Sequence, residues 1–362
     1  MFITGFLRSG TTLVEKYFHN HHEATIAPQP FPFIFYHVKR SFFQEIGCSS
    51  PQYPLGHLFG EDRYSPKQFR EFAANFKMTQ SEVKTLMDEM KGYDGQHAPQ
   101  LLYSAAPEGN LLGVYDDLID RYKKDIGGVS SRIVGSKEVI CEEFIPLFLW
   151  ALRPVVLIIR DPRAVISSIY FGNGSRFVNP SLTVLFVLRS WRKSVAYAIQ
   201  YADHPSFSWV LYERLIEDPL RSLDAICGRL GMAPYPPIVL KNGLKSQDGC
   251  RWKGNSSFDN KYLGKPQRQD LLDEKIKSFI ETICGPEMRW LGYSVPNHNV
   301  SGTIEKFQDP FQVGTPSLSD VDKADELERL EIIKNRLSFS EGSNEPACWF
   351  IFEKALQELQ TI

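Results

Sequence analysis

The chain opens on an apolar, β-prone run that breaks at Gly5, turns through four residues to Gly10, and continues from Thr11 as a segment with helical spacing of its apolar positions. The pattern predicts a strand, a tight turn and a helix in direct succession. Residues 28–43 are aromatic and punctuated by proline, which reads as a loop and a short helix. Residues 51–64 are rich in turn formers. Helical periodicity follows over 66–76. Thr79 with Glu82 then forms a capping box ahead of a stripe of Val83, Leu86, Met87 and Met90, which stops at Gly92. A further stripe of Leu111, Tyr115, Leu118, Ile119 and Tyr122 places a helix over 110–125.

From Arg132 the pattern changes to α/β alternation. Residues 132–135 and 155–159 read as short buried strands, separated by an apolar helix over 141–152. Asp161-Pro162 starts a helix at the strand's end, a cap followed by proline at the first helical position. A Gly/Asn loop at 172–179 leads to a long helix over 181–201. A strand at 207–212 and a helix begun by Asp218-Pro219 and ending before Gly231 complete the alternation. Repeated strand, loop and helix imply a doubly wound parallel α/β sheet of about four to five strands, with its sites at the carboxyl ends of the strands. Residues 247–264 lack periodicity and read as a loop, and helix resumes over 269–284. Beyond 296 the composition shifts to a loop, a charged helix over 320–337 and a last helix over 347–359. The expected organisation is an α/β domain over 1–300, helices inserted over about 60–130 that shape a second binding site, and a helical extension over 301–362 packed on the domain.

Composition narrows the function class. The chain has 362 residues and a formal charge of −2, so bulk nucleic acid or an anionic membrane surface is not the expected partner, and any basic site is local. Six cysteines are scattered without CxxC pairs or disulfide-framework spacing, which fits reduced thiols in a cytoplasmic protein. His19, His21 and His22 cluster without a Cys or acidic partner, so no metal site is expected. There is no apolar run of membrane length, and no signal peptide is expected.

The opening turn carries the chemistry. A strand, a tight turn and a helix N-terminus gather unpaired N–H groups and the positive end of a helix dipole around one concavity, a place for an anion. The spacing Gly5-x4-Gly10 matches a nucleotide phosphate loop, yet Thr11 stands where the triphosphatase loop has Lys, and the cation comes earlier, at Arg8. In this the segment GFLRSGTTL resembles the phosphosulfate loop of the sulfotransferases that use 3′-phosphoadenosine-5′-phosphosulfate (PAPS). Three more stretches are similar to that family. VVLIIRDPRAVISS resembles its 3′-phosphate segment, with Arg160 ending a strand and Ser168 eight residues on. VLYERLIEDPLRSLDAICGRLGM resembles the segment whose Tyr, here Tyr212, lies beside the adenosine. CRWKGNSSF resembles the late loop that closes over the 3′-phosphate, with Arg251, Lys253, Gly254 and Asn255.

The resemblance implies transfer of a sulfuryl group to an acceptor hydroxyl of a small molecule, with PAPS as co-substrate, its bisphosphate as product and no metal. It also implies nucleotide contacts from Arg8, Ser9, Gly10, Thr11, Thr12 and Leu13, and a role for Arg8 and Lys137 near the transferred group. Many members carry His two residues after that lysine; here the position is Val139, so Glu138 becomes the first candidate for general base, with Glu15, His37 and Glu45 behind it. Phe31, Phe33 and Phe35 suggest an apolar or ring-bearing acceptor. A monomer or homodimer is expected. Two other readings stay open: a P-loop kinase-like phosphotransferase, and a nucleotide-binding interaction protein without turnover.

Overall fold

The computed structural model describes residues 1–47, 65–91, 106–126, 131–171, 184–252 and 272–298, and parts of 302–360. In chain order its elements are β1 (Phe2–Thr4), α1 (Thr11–His19), β2 (Ala24–Pro28), α2 (Pro32–Glu45), α3 (Pro66–Asn75), β3 (Lys77–Met78), α4 (Gln80–Lys91), β4 (Gly109–Asn110), α5 (Leu111–Asp125) and β5 (Ile133–Lys137). A 3₁₀ turn at Glu142–Phe144 leads into α6 (Ile145–Trp150). There follow β6 (Val155–Ile159), α7 (Pro162–Phe171), α8 (Val184–Tyr201), β7 (Phe207–Leu211), α9 (Tyr212–Glu217), α10 (Pro219–Arg229), α11 (Pro237–Asn242), α12 (Glu274–Trp290) and α13 (Glu353–Gln360).

The chain divides into two compact units: Met1–Ser49, Tyr64–Ile158 and Ala202–Asp259 form the first, and Ser50–Arg63, Ile159–Tyr201 and Asn260–Ile362 the second. The first is built on a five-stranded parallel α/β sheet in the order β2-β5-β1-β6-β7. β1 pairs in parallel with β5 and β6, and β5 with β2 in a register that sets Ala24 opposite Ile133 and Pro28 opposite Lys137. Every residue of β1 and β6 is buried, as expected of central strands covered on both faces. A core of Ile3, Leu13, Val14, Tyr17, Phe18, Ile26, Val156, Ile158, Leu223 and Ile226 joins α1 and α10 to the sheet. A second apolar layer is aromatic. Phe2 stacks on Phe148 with ring centroids 4.0 Å apart, and Phe35 meets the edges of Tyr115 and Phe144. Phe31 and Phe35, expected near an acceptor, are spent in this packing; Phe33 is half-exposed.

Several elements differ from expectation for identifiable reasons. β2 was hidden in a five-residue run ending at proline, too short for its alternation to register. α2 is a full fourteen-residue helix because Pro32 occupies its first turn, where proline lacks nothing the helix needs. The helix expected over 141–152 splits into the 3₁₀ turn and α6. Tyr212 opens α9 rather than closing β7. α12 runs through Pro286, beyond the expected stop at Cys284; buried Phe279, Ile280, Ile283 and Met288 hold it in place. The capping box at Thr79–Glu82 forms as read, and the structure adds a second at Ser65–Gln68.

In the second unit α8 packs on α12 and α13, and α7 packs on α8 and α12. Arg192 of α8 and Glu287 of α12 form a buried ion pair at 2.5 Å. Arg163 binds Asp161 and Glu281, and His298 meets the other oxygen of Glu281. Tyr197 meets Phe352 edge to face, which seats the start of the last helix. The helices expected over 320–337 and the break before 347 lie largely outside the described residues. Cys141, Cys227, Cys250 and Cys284 are free thiols, whereas Cys48 and Cys348 fall outside the described residues. Among the described residues no helix is long and apolar enough to cross a membrane.

Candidate functional site

The loop between β1 and α1 is shaped by two glycines. A Cβ on Gly5 would meet the Ile158 carbonyl oxygen at 2.5 Å, and one on Gly10 would meet the Tyr212 ring at 2.5 Å, so backbone passes where no side chain fits. Gly10 takes φ +99 as the N-cap of α1, and Arg8 takes φ +63, a left-handed conformation that strains a residue with a side chain. The Ser9 N–H donates to the Phe6 carbonyl at 3.2 Å, and the Leu13 N–H to that of Gly10 at 2.9 Å, which tightens the turn. Thr11 and Thr12 head the helix, where N–H groups have no intrahelical acceptor. Gly10, the N-cap residue, has no side chain to cap this end. Ser9 is fully buried, yet its Oγ has no hydrogen-bond partner among the described residues. A buried hydroxyl left open beside open amides fits an anion such as a phosphate group.

At the end of β5, Lys137 and Glu138 are buried. The Lys137 Nζ donates to Gln29 Oε1 at 2.8 Å, and the Phe31 N–H donates to Glu138 Oε1 at 3.2 Å. The other Glu138 oxygen makes no hydrogen bond of good geometry among the described residues. Desolvation pushes Glu138 up to about 8, against the pull of the Lys137 charge and the Phe31 amide. Desolvation lowers Lys137 to about 8, opposed by the charges of Glu15 and Glu138. The two titrate as a pair.

Glu15, one of the alternative bases, belongs to a different arrangement. It is fully buried, and burial raises its pKa against the charges of Lys16 and Lys137. The Gln247 Nε2 donates to Glu15 Oε1 at 2.6 Å, and Lys16 Nζ donates to Gln247 Oε1 at 2.5 Å. That bolt fastens the 244–252 segment to α1. His37 stacks edge to face on Phe76, and Glu45 is exposed at the end of α2. Sequence reasoning missed Gln29 and Gln247. Only the prolines flanking Gln29 marked it out.

The structure thus brings Gly10 and Tyr212 into contact and sets Lys137 beside Glu138. Leu13 is core and its amide donates to the Gly10 carbonyl, while the Thr12 side chain is exposed. Arg251 is exposed; it pairs through backbone with Lys245 and lies over Gly243, with its guanidinium Nε 3.3 Å from a Cβ built there. Lys245 is tied to Asn20 at the C-cap of α1, the end of that helix opposite the loop. Lys253, Gly254 and Asn255 lie outside the described residues. In the second unit Arg160 follows β6 and Ser168 sits on α7, both half-buried, and the Arg160 carbonyl accepts the Trp191 indole N–H at 2.7 Å.

No family model matches the chain, and no curated protein matches it. Solved structures do. The sulfotransferase domain of the Synechococcus PCC 7002 olefin synthase is 16% identical and aligns with a TM-score of 0.38 over 85% of this chain and 94% of that one. The sulfotransferase domain from the curacin biosynthetic pathway is 15% identical, with a TM-score of 0.39 over 85% and 95%. Retinol dehydratase, solved in complex with androsterone and inactive cofactor PAP, is 13% identical, with a TM-score of 0.38 over 82% of each chain.

Proposed function

We propose that the protein is a cytoplasmic sulfotransferase that uses PAPS and sulfates a hydroxyl group of a small molecule. One observation carries the proposal: the buried Ser9 hydroxyl, without a hydrogen-bond partner among the described residues, on a glycine-framed turn at the N-terminus of α1, where first-turn amides have no intrahelical acceptor. When bound, the co-substrate supplies a sulfuryl group activated by its phosphate leaving group. Ser9, Gly10 and the amides of Thr11 and Thr12, backed by Leu13, hold the 5′ end of the nucleotide, and Arg8 supplies positive charge to the oxygens that gain negative charge during transfer. Tyr212, packed on Gly10, offers a ring beside the adenosine. Arg160 supplies a forked cation and Ser168 a hydroxyl for the 3′-phosphate, and Arg251, Lys253, Gly254 and Asn255 correspond to the family's late loop.

Glu138 takes the acceptor's proton. Its raised pKa places deprotonation within reach of neutral pH, where a general base is most effective. Lys137 holds positive charge beside it. Calorimetry decides the nucleotide: adenosine 3′,5′-bisphosphate should bind and ATP should not, and the reverse preference would favour a kinase-like phosphotransferase. A labelled-sulfate transfer assay over hydroxyl acceptors decides turnover; binding without transfer to any acceptor would favour an interaction module.

A further inference from the structure

β2 ends with Pro28 opposite Lys137 in the parallel register, so the chain leaving β2 runs past the end of β5. There the Gln29 N–H donates to the Ala27 carbonyl at 3.1 Å, closing a three-residue turn about Pro28. Gln29 takes φ +55, the left-handed region, where a residue with a side chain carries strain. Prolines 28 and 30 restrict the backbone on both sides of it. The strained residue does not face idle solvent: its Oε1 accepts from Lys137 Nζ at 2.8 Å. Two residues later the Phe31 N–H donates to Glu138 Oε1 at 3.2 Å. One short turn therefore grips two consecutive side chains.

We propose that Gln29 is a positioning residue, its amide oxygen fixing the Lys137 ammonium beside Glu138; a role in transfer rests on the function proposed above. A lysine is a point charge on a flexible four-carbon stem, and its direction is set by whatever acceptor it meets. The charged groups acting on Lys137 are Glu15 and Lys16 from α1 and Glu138 from its own strand end. Glu15 is already engaged by Lys16 and Gln247. Gln29 gives the ammonium a direction without neutralising it. Strain retained at such a turn marks a position held for its side chain as well as for its backbone.

The test compares Gln29→Ala, Gln29→Gly and Gln29→Glu in the full chain. The readouts are kcat, affinity for adenosine 3′,5′-bisphosphate, and the pH midpoint of the Lys137 side-chain resonance. Gln29→Ala should lower kcat about tenfold or more while the bisphosphate affinity changes less than about twofold. The Lys137 midpoint should fall, because the charged form loses an acceptor. Gln29→Glu should raise the midpoint, move the alkaline limb of the rate profile to higher pH and restore part of the rate. Gln29→Gly relieves the backbone strain and should fold well, yet lose kcat as Gln29→Ala does. Wild-type kcat and an unmoved midpoint in Gln29→Gly overturn the proposal. If the unmodified protein binds no bisphosphate, the functional reading falls alone, and the Lys137 midpoints still decide whether Gln29 holds the ammonium.

Discussion

Gly10 and Tyr212 lie in contact: a methyl carbon on the Gly10 Cα would meet ring carbon Cδ2 of Tyr212 at 2.5 Å. The pair links the start of α1 to the start of α9 within the first unit. Gly10→Ala meets two obstacles, the ring and a φ of +99 that alanine avoids. It should destabilise the protein by about 1–3 kcal/mol and weaken bisphosphate binding. Adding Tyr212→Ala removes the ring but not the strain, so the double variant should be less destabilised than the sum of the two single variants, by roughly 0.5–3 kcal/mol. Urea unfolding of all four proteins reads the coupling. Strict additivity would mean that α1 shifts away from the ring at no cost.

Ser9 makes a sharper test of the loop. Its hydroxyl is buried without a hydrogen-bond partner among the described residues, so Ser9→Ala should leave stability within about 0.5 kcal/mol, or raise it slightly. Binding of adenosine 3′,5′-bisphosphate should weaken by about 0.5–1.5 kcal/mol, the scale of one hydrogen bond. A variant that unfolds early but binds normally would show that the hydroxyl serves the fold. Thermal unfolding and calorimetry on the same preparation separate these outcomes.

The legible parts of the chain are those where local chemistry and tertiary structure agree. Asp161-Pro162 announced α7, and the structure adds an ion pair from Arg163 to Asp161. Asn110 and Asp218 cap their helices through side-chain oxygens, as residues of their kind do. The glycine frame of the opening turn was readable because only glycine tolerates those approaches. What escaped depends on distant partners. β2 is a strand by virtue of pairing with β5, and Gln29 matters by virtue of the register that pairing imposes. The Glu15–Gln247–Lys16 bolt spans more than two hundred residues, and nothing near Gln247 announces it. Pro286 in α12 misled for the opposite reason: a local breaker was overruled by burial and by the Glu287–Arg192 pair.

The Lys137–Glu138 pair predicts a pH signature of stability. Glu138 titrates in the folded protein at about 8, above its ordinary 4.5, so the stability it contributes is fully present below about 4.5 and is lost as pH rises through about 8. Lys137 is held at about 8, below its ordinary 10.5, so it acts in the other direction: the stability it withholds returns between about 8 and 10.5. Unfolding free energy should therefore decline between pH 4.5 and 8. In Glu138→Gln that decline should be shallower, by up to about 1.4 kcal/mol per pH unit. The same variant should bind the bisphosphate normally and turn over about a hundredfold more slowly, as loss of the proposed base requires. An unchanged slope would place Glu138 ionised in the fold; unchanged turnover would move the base elsewhere.

Arg160 tests the other phosphate. Its carbonyl accepts the Trp191 indole N–H, and Asp161 and Pro162 start α7 immediately after it, so the backbone at this point has its own anchors. Arg160→Ala should accordingly leave the unfolding midpoint nearly unchanged while weakening adenosine 3′,5′-bisphosphate by about 1.5–3 kcal/mol, the worth of a charge-assisted contact. Adenosine 5′-phosphate, which lacks the 3′ group, provides the control: its affinity should not respond to the substitution. Equal losses for both nucleotides would mean that Arg160 acts through the general positive field, whereas a loss confined to the bisphosphate assigns the guanidinium to the 3′-phosphate. Arg160→Lys should recover only part of the affinity, because a point charge cannot reproduce the forked pair of donors.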